Sequence, residues 1–124
     1  MRRLLLLFTA FALALTACGG GDDADGPDPE AVARGIVAYE AYCQVCHGIE
    51  GAGVEGLGKP WVDSSFIQAR TDQEMLDFII EGRPSDHPDN TTGIAMMPRA
   101  GNPNLTDAEI LDMIAYMRTL NPQG

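Results

Sequence analysis

Positive charge is what this chain has least of. Its 124 residues include 8 lysines and arginines against 18 acidic residues, a net charge of −10. So acidic a balance argues against nucleic acid and against electrostatic attachment to a membrane surface. Strand-like alternation is missing too, and no segment repeats, which leaves a helical reading of the chain. The one long apolar run, Leu4 to Ala14, is too short to span a bilayer. Candidate metal ligands are scarce, with two histidines and three cysteines in all.

Three of those five residues stand together, in Cys43-Gln44-Val45-Cys46-His47. Two thiols three positions apart, followed at once by an imidazole, form the attachment pattern for a c-type haem. The spacing suits the chemistry. Two thioethers reach the two vinyl groups on one edge of a porphyrin, and the adjacent histidine turns under the ring to give its imidazole to iron. A redox dithiol would want a βαβ setting, and no strand is near. A structural zinc site needs four ligands, and beyond these three only His87 remains. Cys43 and Cys46 are therefore the candidates for covalent haem c, and His47 for an axial ligand.

The front end reads as an export signal. Arg2 and Arg3 precede the apolar run, and Leu15-Thr16-Ala17-Cys18 follows it. That tetrapeptide resembles the lipobox of bacterial lipoproteins, which implies residues 1–17 as a signal peptide and Cys18 as a lipid-carrying N-terminus. Cleavage after Ala12-Leu13-Ala14 is the rival reading. Either way the protein is expected outside the cytoplasm, facing the periplasm or cell exterior, and on the lipobox reading it is held at a membrane. Residues 18–30 then form a linker. Gly19 to Glu30 holds four glycines, two prolines and five acids, too little apolar surface to offset ordering, and is expected to be disordered.

The globular part is expected over residues 31–124. Val32, Ile36, Tyr39, Cys43 and Cys46 recur at helical steps, with Pro29 just ahead of the helix. Gly35 is out of place there, costing about 1 kcal/mol against alanine, unless another backbone packs against it. Gly48 to Lys59, with five glycines, reads as a loop approaching a flat ligand. Two T-x-x-E capping boxes open further helices. Thr71 to Glu74 precedes Met75, Leu76, Ile79 and Ile80. Thr106 to Glu109 precedes Ile110, Met113, Ile114, Met117 and Leu120. Gly82 and Pro84 end the earlier of the two. Trp61 is either a pocket residue offering its indole donor to a propionate or plain core. Arg83 is either a propionate contact or a solvated loop arginine, and His87 reads as exposed. Asn90-Thr91-Thr92 fits a glycosylation sequon, which the bacterial lipobox discounts.

At Gly35-x-x-x-Tyr39-x-x-x-Cys43-x-x-Cys46-His47 the chain resembles the first helix of class I cytochromes c. Met96-Met97-Pro98-Arg99-Ala100-Gly101-Asn102-Pro103 resembles the methionine loop of small bacterial members, M-P-P-x-G-G-N-P. Tyr116 and Leu120 match the family's final helix. The resemblance implies an all-α cytochrome c fold of three to four helices around one covalent haem, with the first and last helices crossing near Gly35 and Tyr39. It also implies the carbonyl of Pro60 as acceptor for the His47 imidazole, and a methionine as second iron ligand. The register with Asn102 selects Met96, with Met97 the alternative. Met75, Met113 and Met117 sit at helical spacing and read as core.

The expected function is one-electron transfer in a respiratory chain, without enzyme activity. A cytochrome subunit fixed in a larger membrane complex, or a haem enzyme using His87 in an open distal site, are the alternatives. Residues 31–121 carry 13 acidic against 6 basic side chains. That suggests redox protein partners with a basic docking patch, or merely a soluble acidic surface, and argues against nucleic acid. A filled sixth position on the iron would leave no place for a small-molecule substrate.

Overall fold

The computed structural model describes residues 26–122. Cys18, the leader and the linker up to residue 25 lie outside the described residues. Helix α1 spans Pro29–Tyr42, α2 Gln44–His47, α3 Ser65–Gln68, α4 Asp72–Glu81 and α5 Asp107–Thr119. Short 3-10 turns lie at Ile49–Gly51 and Pro98–Gly101. The described residues are helical, with no strand and only two isolated bridges, Val54 to Gly58 and Arg83 to Met96. The described residues hold five α-helical segments, two of them (α2 and α3) single turns, consistent with the expected all-α fold.

Helix α1 begins at Pro29, the residue expected just ahead of it. Asp28 is the cause, since its carboxylate accepts the backbone N–H groups of Glu30 and Ala31 while Pro29 occupies the first turn. The helix buries Gly35 and Tyr39, whereas Ile36 is 37 % exposed. The buried face is thus turned away from Ile36. It follows the glycine, because a Cβ at Gly35 would overlap the carbonyl oxygen of Asp112 in α5. The two backbones meet there, as the missing side chain implied. Arg34 forks onto Asp112 beside the crossing, with Nε–Oδ2 at 2.7 Å and Nη2–Oδ1 at 2.8 Å.

Helix α5 is the spine of the core. Ile110, Met113, Ile114, Tyr116 and Met117 are all buried along it. On its other side, α4 contributes Met75, Leu76 and Ile79. Both capping boxes form as expected, with Thr71 and Thr106 bonded reciprocally to Glu74 and Glu109. Two polar residues then lock the helices to the loops. Arg118 donates to Asp72 and to the carbonyls of Ile67 and Arg70, joining α5 to the end of α3 and the start of α4. Asn121 is fully buried and bonds the carbonyls of Trp61 and Met117 and the N–H of Ser64.

Candidate cofactor site

Helical hydrogen bonding continues from α1 through Cys43, whose N–H reaches Tyr39 and whose carbonyl accepts from His47. The Cys-x-x-Cys-His stretch is therefore held on a rigid turn. Gly48 then ends the helix at φ +78° and sends the chain back across it. Buried Tyr39 pins that return: its hydroxyl donates to the carbonyl of Gly48 and accepts the N–H of Gly51 at 3.0 Å. Burial pushes the phenol up to about 12, so it remains protonated as this donor. Its ring meets Trp61 and Tyr116 edge-on, at 4.6 and 5.4 Å between centres.

The turn opens onto a cavity of about 540 Å³, in the size range of small-molecule and cofactor pockets. Cys43, Cys46 and His47 line it, as do Trp61, Phe66, Phe78 and Met96. The Cys43 sulfur is buried 3.5 Å from that of Met113, and burial followed by the nearby Cys46 raises its thiol to about 12. It is a neutral thiol held in apolar surroundings, and it makes no disulfide among the described residues.

His47 is set up as a ligand by its second nitrogen. Nδ1 lies 2.8 Å from the carbonyl oxygen of Lys59. A carbonyl can only accept, so Nδ1 carries the proton and Nε2 keeps its lone pair. Nε2 has no protein partner among the described residues. Burial lowers the imidazole pKa, with the Lys59 bond opposing it, which favours the neutral, metal-binding form. The acceptor is Lys59 and not the expected Pro60. Pro60 itself packs closely against Gly53.

The two methionines of the 96–103 loop differ. Met96 is half-buried against the core, and its backbone pairs in both directions with Arg83, at 2.7 and 2.9 Å. A Cβ on Gly82 would overlap the Met96 carbonyl, so glycine admits this approach. Met97 also lines the cavity but is 58 % exposed. After it, Arg99 and Ala100 both take left-handed backbone angles, φ 50° and 54°. Ala100 stands where the resembling pattern has glycine, at a cost of about 1–2 kcal/mol.

Trp61 is 5 % exposed in the core and also lines the cavity. Arg83 is half-buried and lines the cavity, with its guanidinium over Phe66 and Phe78. His87 is exposed, accepts the Asp89 N–H, and does not line the cavity. Asn121 and Arg118 went unnoticed in the sequence, because a single polar residue at a helix end carries no pattern. Phe66 was equally silent, lying in a single-turn helix too short for periodicity.

An apolar chamber with two thiols and a lone-pair imidazole at one wall fits a porphyrin bound covalently and through its iron. The donor set is soft sulfur and neutral nitrogen, suited to haem and not to a hard cation. An all-helical shell closed by a crossing of first and last helices, with that wall inside, defines a small c-type haem protein. The chain matches the cytochrome c family over residues 32–121 and belongs to it. It is 33 % identical over 88 residues to a cytochrome c-555 of Prosthecochloris aestuarii, a match covering 69 % of this chain and 84 % of that one. Like its family it carries one covalently bound haem c, and it serves as a haem electron carrier with redox protein partners.

Proposed function

We propose that Cys43 and Cys46 form the two thioethers, that His47 Nε2 and the Met96 sulfur are the axial ligands, and that the protein is a six-coordinate carrier in a respiratory chain. The observation that carries this reading is the Lys59 bond on Nδ1, which fixes the tautomer and leaves Nε2 free on the cavity side. When bound, haem supplies an iron that alternates between ferrous and ferric by one electron. The chain's part is to hold that iron still and dry. Tyr39 and Asn121 brace the loop that carries Trp61 and Lys59, and buried Met75, Ile79 and Met117 line the chamber. A thioether is a neutral, soft ligand that favours reduced iron, so a His/Met pair raises the potential. A filled sixth position leaves no place for a substrate, which supports transfer without catalysis. Carbon monoxide tests this directly. The spectrum of the reduced protein should hardly respond, whereas prompt formation of a carbonyl adduct would indicate an open enzyme-like site.

The same reading extends to location and partner. The Leu15-Thr16-Ala17-Cys18 stretch supports a signal peptide over residues 1–17, a lipid on Cys18 and a linker to residue 30, tethering the head outside the cytoplasm. Replacing Cys18 by serine should release the protein from the membrane fraction, and unchanged association would refute the lipid. The head's acid excess supports a partner with a basic docking patch. Electron exchange should slow as salt rises, since exposed charges are screened over about 10 Å at 0.1 M. A rate indifferent to salt would leave the acidic surface without a docking role.

A further inference from the structure

Between Arg83 and Met96 the chain runs for twelve residues with no helix or strand of its own. The two ends of this loop meet through backbone, with the Arg83 N–H on the Met96 carbonyl at 2.7 Å and the Met96 N–H on the Arg83 carbonyl at 2.9 Å. A loop of that length has many ways to close, so something must select one. Thr91, Thr92, Ile94 and Ala95 line the cavity together with Met96, which makes the loop part of the chamber wall.

Asn90, half-buried and also lining the cavity, selects the path. Its Nδ2 donates to the carbonyls of Pro84 at 2.9 Å and Ile94 at 2.8 Å, one on each limb of the loop. Its Oδ1 accepts the backbone N–H groups of Thr92 at 3.1 Å and Gly93 at 2.9 Å, and the Thr92 hydroxyl at 3.3 Å. Carbonyls only accept and backbone N–H groups only donate, so the partners fix which end of the amide is which. The oxygen thus closes a local turn, while both amide hydrogens tie the limbs together. The Asn-x-Thr pattern that fits a sequon has a different use here, as the core of this hydrogen-bond cluster.

Pro84 follows Arg83, and Ile94 stands two residues before Met96. The Nδ2 tie therefore lies beside the Arg83–Met96 pair and reinforces it. A methionine side chain is long and flexible, and it holds its sulfur in one place only if its backbone is fixed. We propose that Asn90 is a positioning residue for the sixth iron ligand: it keeps the loop shut, so that the Met96 sulfur does not yield to an outside ligand. The proposal rests on the reading that Met96 binds the iron, and it deepens that reading. An outside ligand binds only the minor state in which the thioether has left, and the Asn90 tie keeps that state scarce.

Imidazole binding to the ferric full-length holoprotein tests this, in Asn90→Asp and Ser85→Asp. Aspartate keeps the shape of Asn90 and its Oδ1 contacts, but it sets an acceptor where both cross-loop donors stood. Asn90→Asp should bind imidazole about tenfold more tightly than wild type, as the loss of two hydrogen bonds implies. Ser85 is exposed in the same loop and does not line the cavity. Ser85→Asp adds the same charge without touching the tie and should bind imidazole as wild type does. Wild-type affinity in Asn90→Asp, or an equal gain in Ser85→Asp, overturns the assignment. So does a lower unfolding midpoint in Asn90→Asp with no gain in imidazole affinity, the mark of a role in overall stability alone. Should Asn90→Asp fail to accumulate, hydrogen exchange of the wild-type holoprotein replaces it. The Thr92 and Gly93 amides should lose protection when imidazole binds, and protection left unchanged refutes the coupling. The far-red iron–methionine band separates the two readings. A band that depends on Met96, with wild-type imidazole affinity in Asn90→Asp, refutes Asn90 alone. A band that survives in Met96→Ala refutes the ligand reading itself.

Discussion

Met96 and Met97 are adjacent, yet one is packed against the core and backbone-paired with Arg83 while the other is mostly exposed. A ligand must be held where the iron is, and packing at Met96 supports it for that task. Each methionine should be changed to alanine and the weak far-red band of ferric iron–methionine ligation followed. Met96→Ala should abolish the band and lower the potential, with Met97→Ala altering neither. Loss of the band in Met97→Ala alone would reverse the assignment. At this scale the candidate residues were readable, because Cys43, Cys46 and His47 stand in a fixed spacing, and all three line the cavity. The residues that support them were not. Tyr39 declares itself as a helix-face aromatic, but nothing in the sequence says that its hydroxyl bridges Gly48 and Gly51. The choice of Lys59 over Pro60 as the His47 acceptor depends on a loop path that one residue of difference changes.

Among the elements, the helices whose ends are marked by side chains were the legible ones. Thr71 and Glu74, and Thr106 and Glu109, cap α4 and α5 where the T-x-x-E pattern puts them. Helix α1 starts at Pro29 behind an Asp28 cap, residues that also suit a linker. Single-turn α3 has no period to detect. The α1–α5 crossing is the element-scale contact on which the fold depends, and Gly35 is its closest point. Gly35→Ala should destabilise the holoprotein by about 3 kcal/mol, the upper range for forcing a methyl into packed structure. Denaturant midpoints measure this, and a change below about 0.5 kcal/mol would show that the helices slide apart freely. The capping boxes give a pH dependence of known sign. Backbone N–H donation, then the threonine hydroxyl, holds Glu74 and Glu109 below the usual carboxylate range. Their contribution is thus complete above the unfolded value of about 4.3 and is lost as pH falls through the depressed folded values. The double variant Glu74→Gln/Glu109→Gln should be less stable than wild type at neutral pH, with the gap closing in acid. A gap that persists unchanged in acid would mean the carboxylate charge contributes nothing.

The whole molecule is a shell of short helices around a chamber that its own side chains do not fill. So small a chain buries little apolar surface by itself, and the cofactor completes the core. The helical class was legible because every periodic segment repeated at helical steps. The chamber itself was not, since it is formed by residues from α1 to α5 that meet only in three dimensions. The intact mass of the purified protein tests most directly whether Cys43 and Cys46 hold a covalent haem. After acid–organic extraction the polypeptide should retain the mass of one haem, and changing both cysteines to serine should abolish the retention. A wild-type chain that emerges from extraction without its haem, or a double-serine variant that keeps it, would contradict the account.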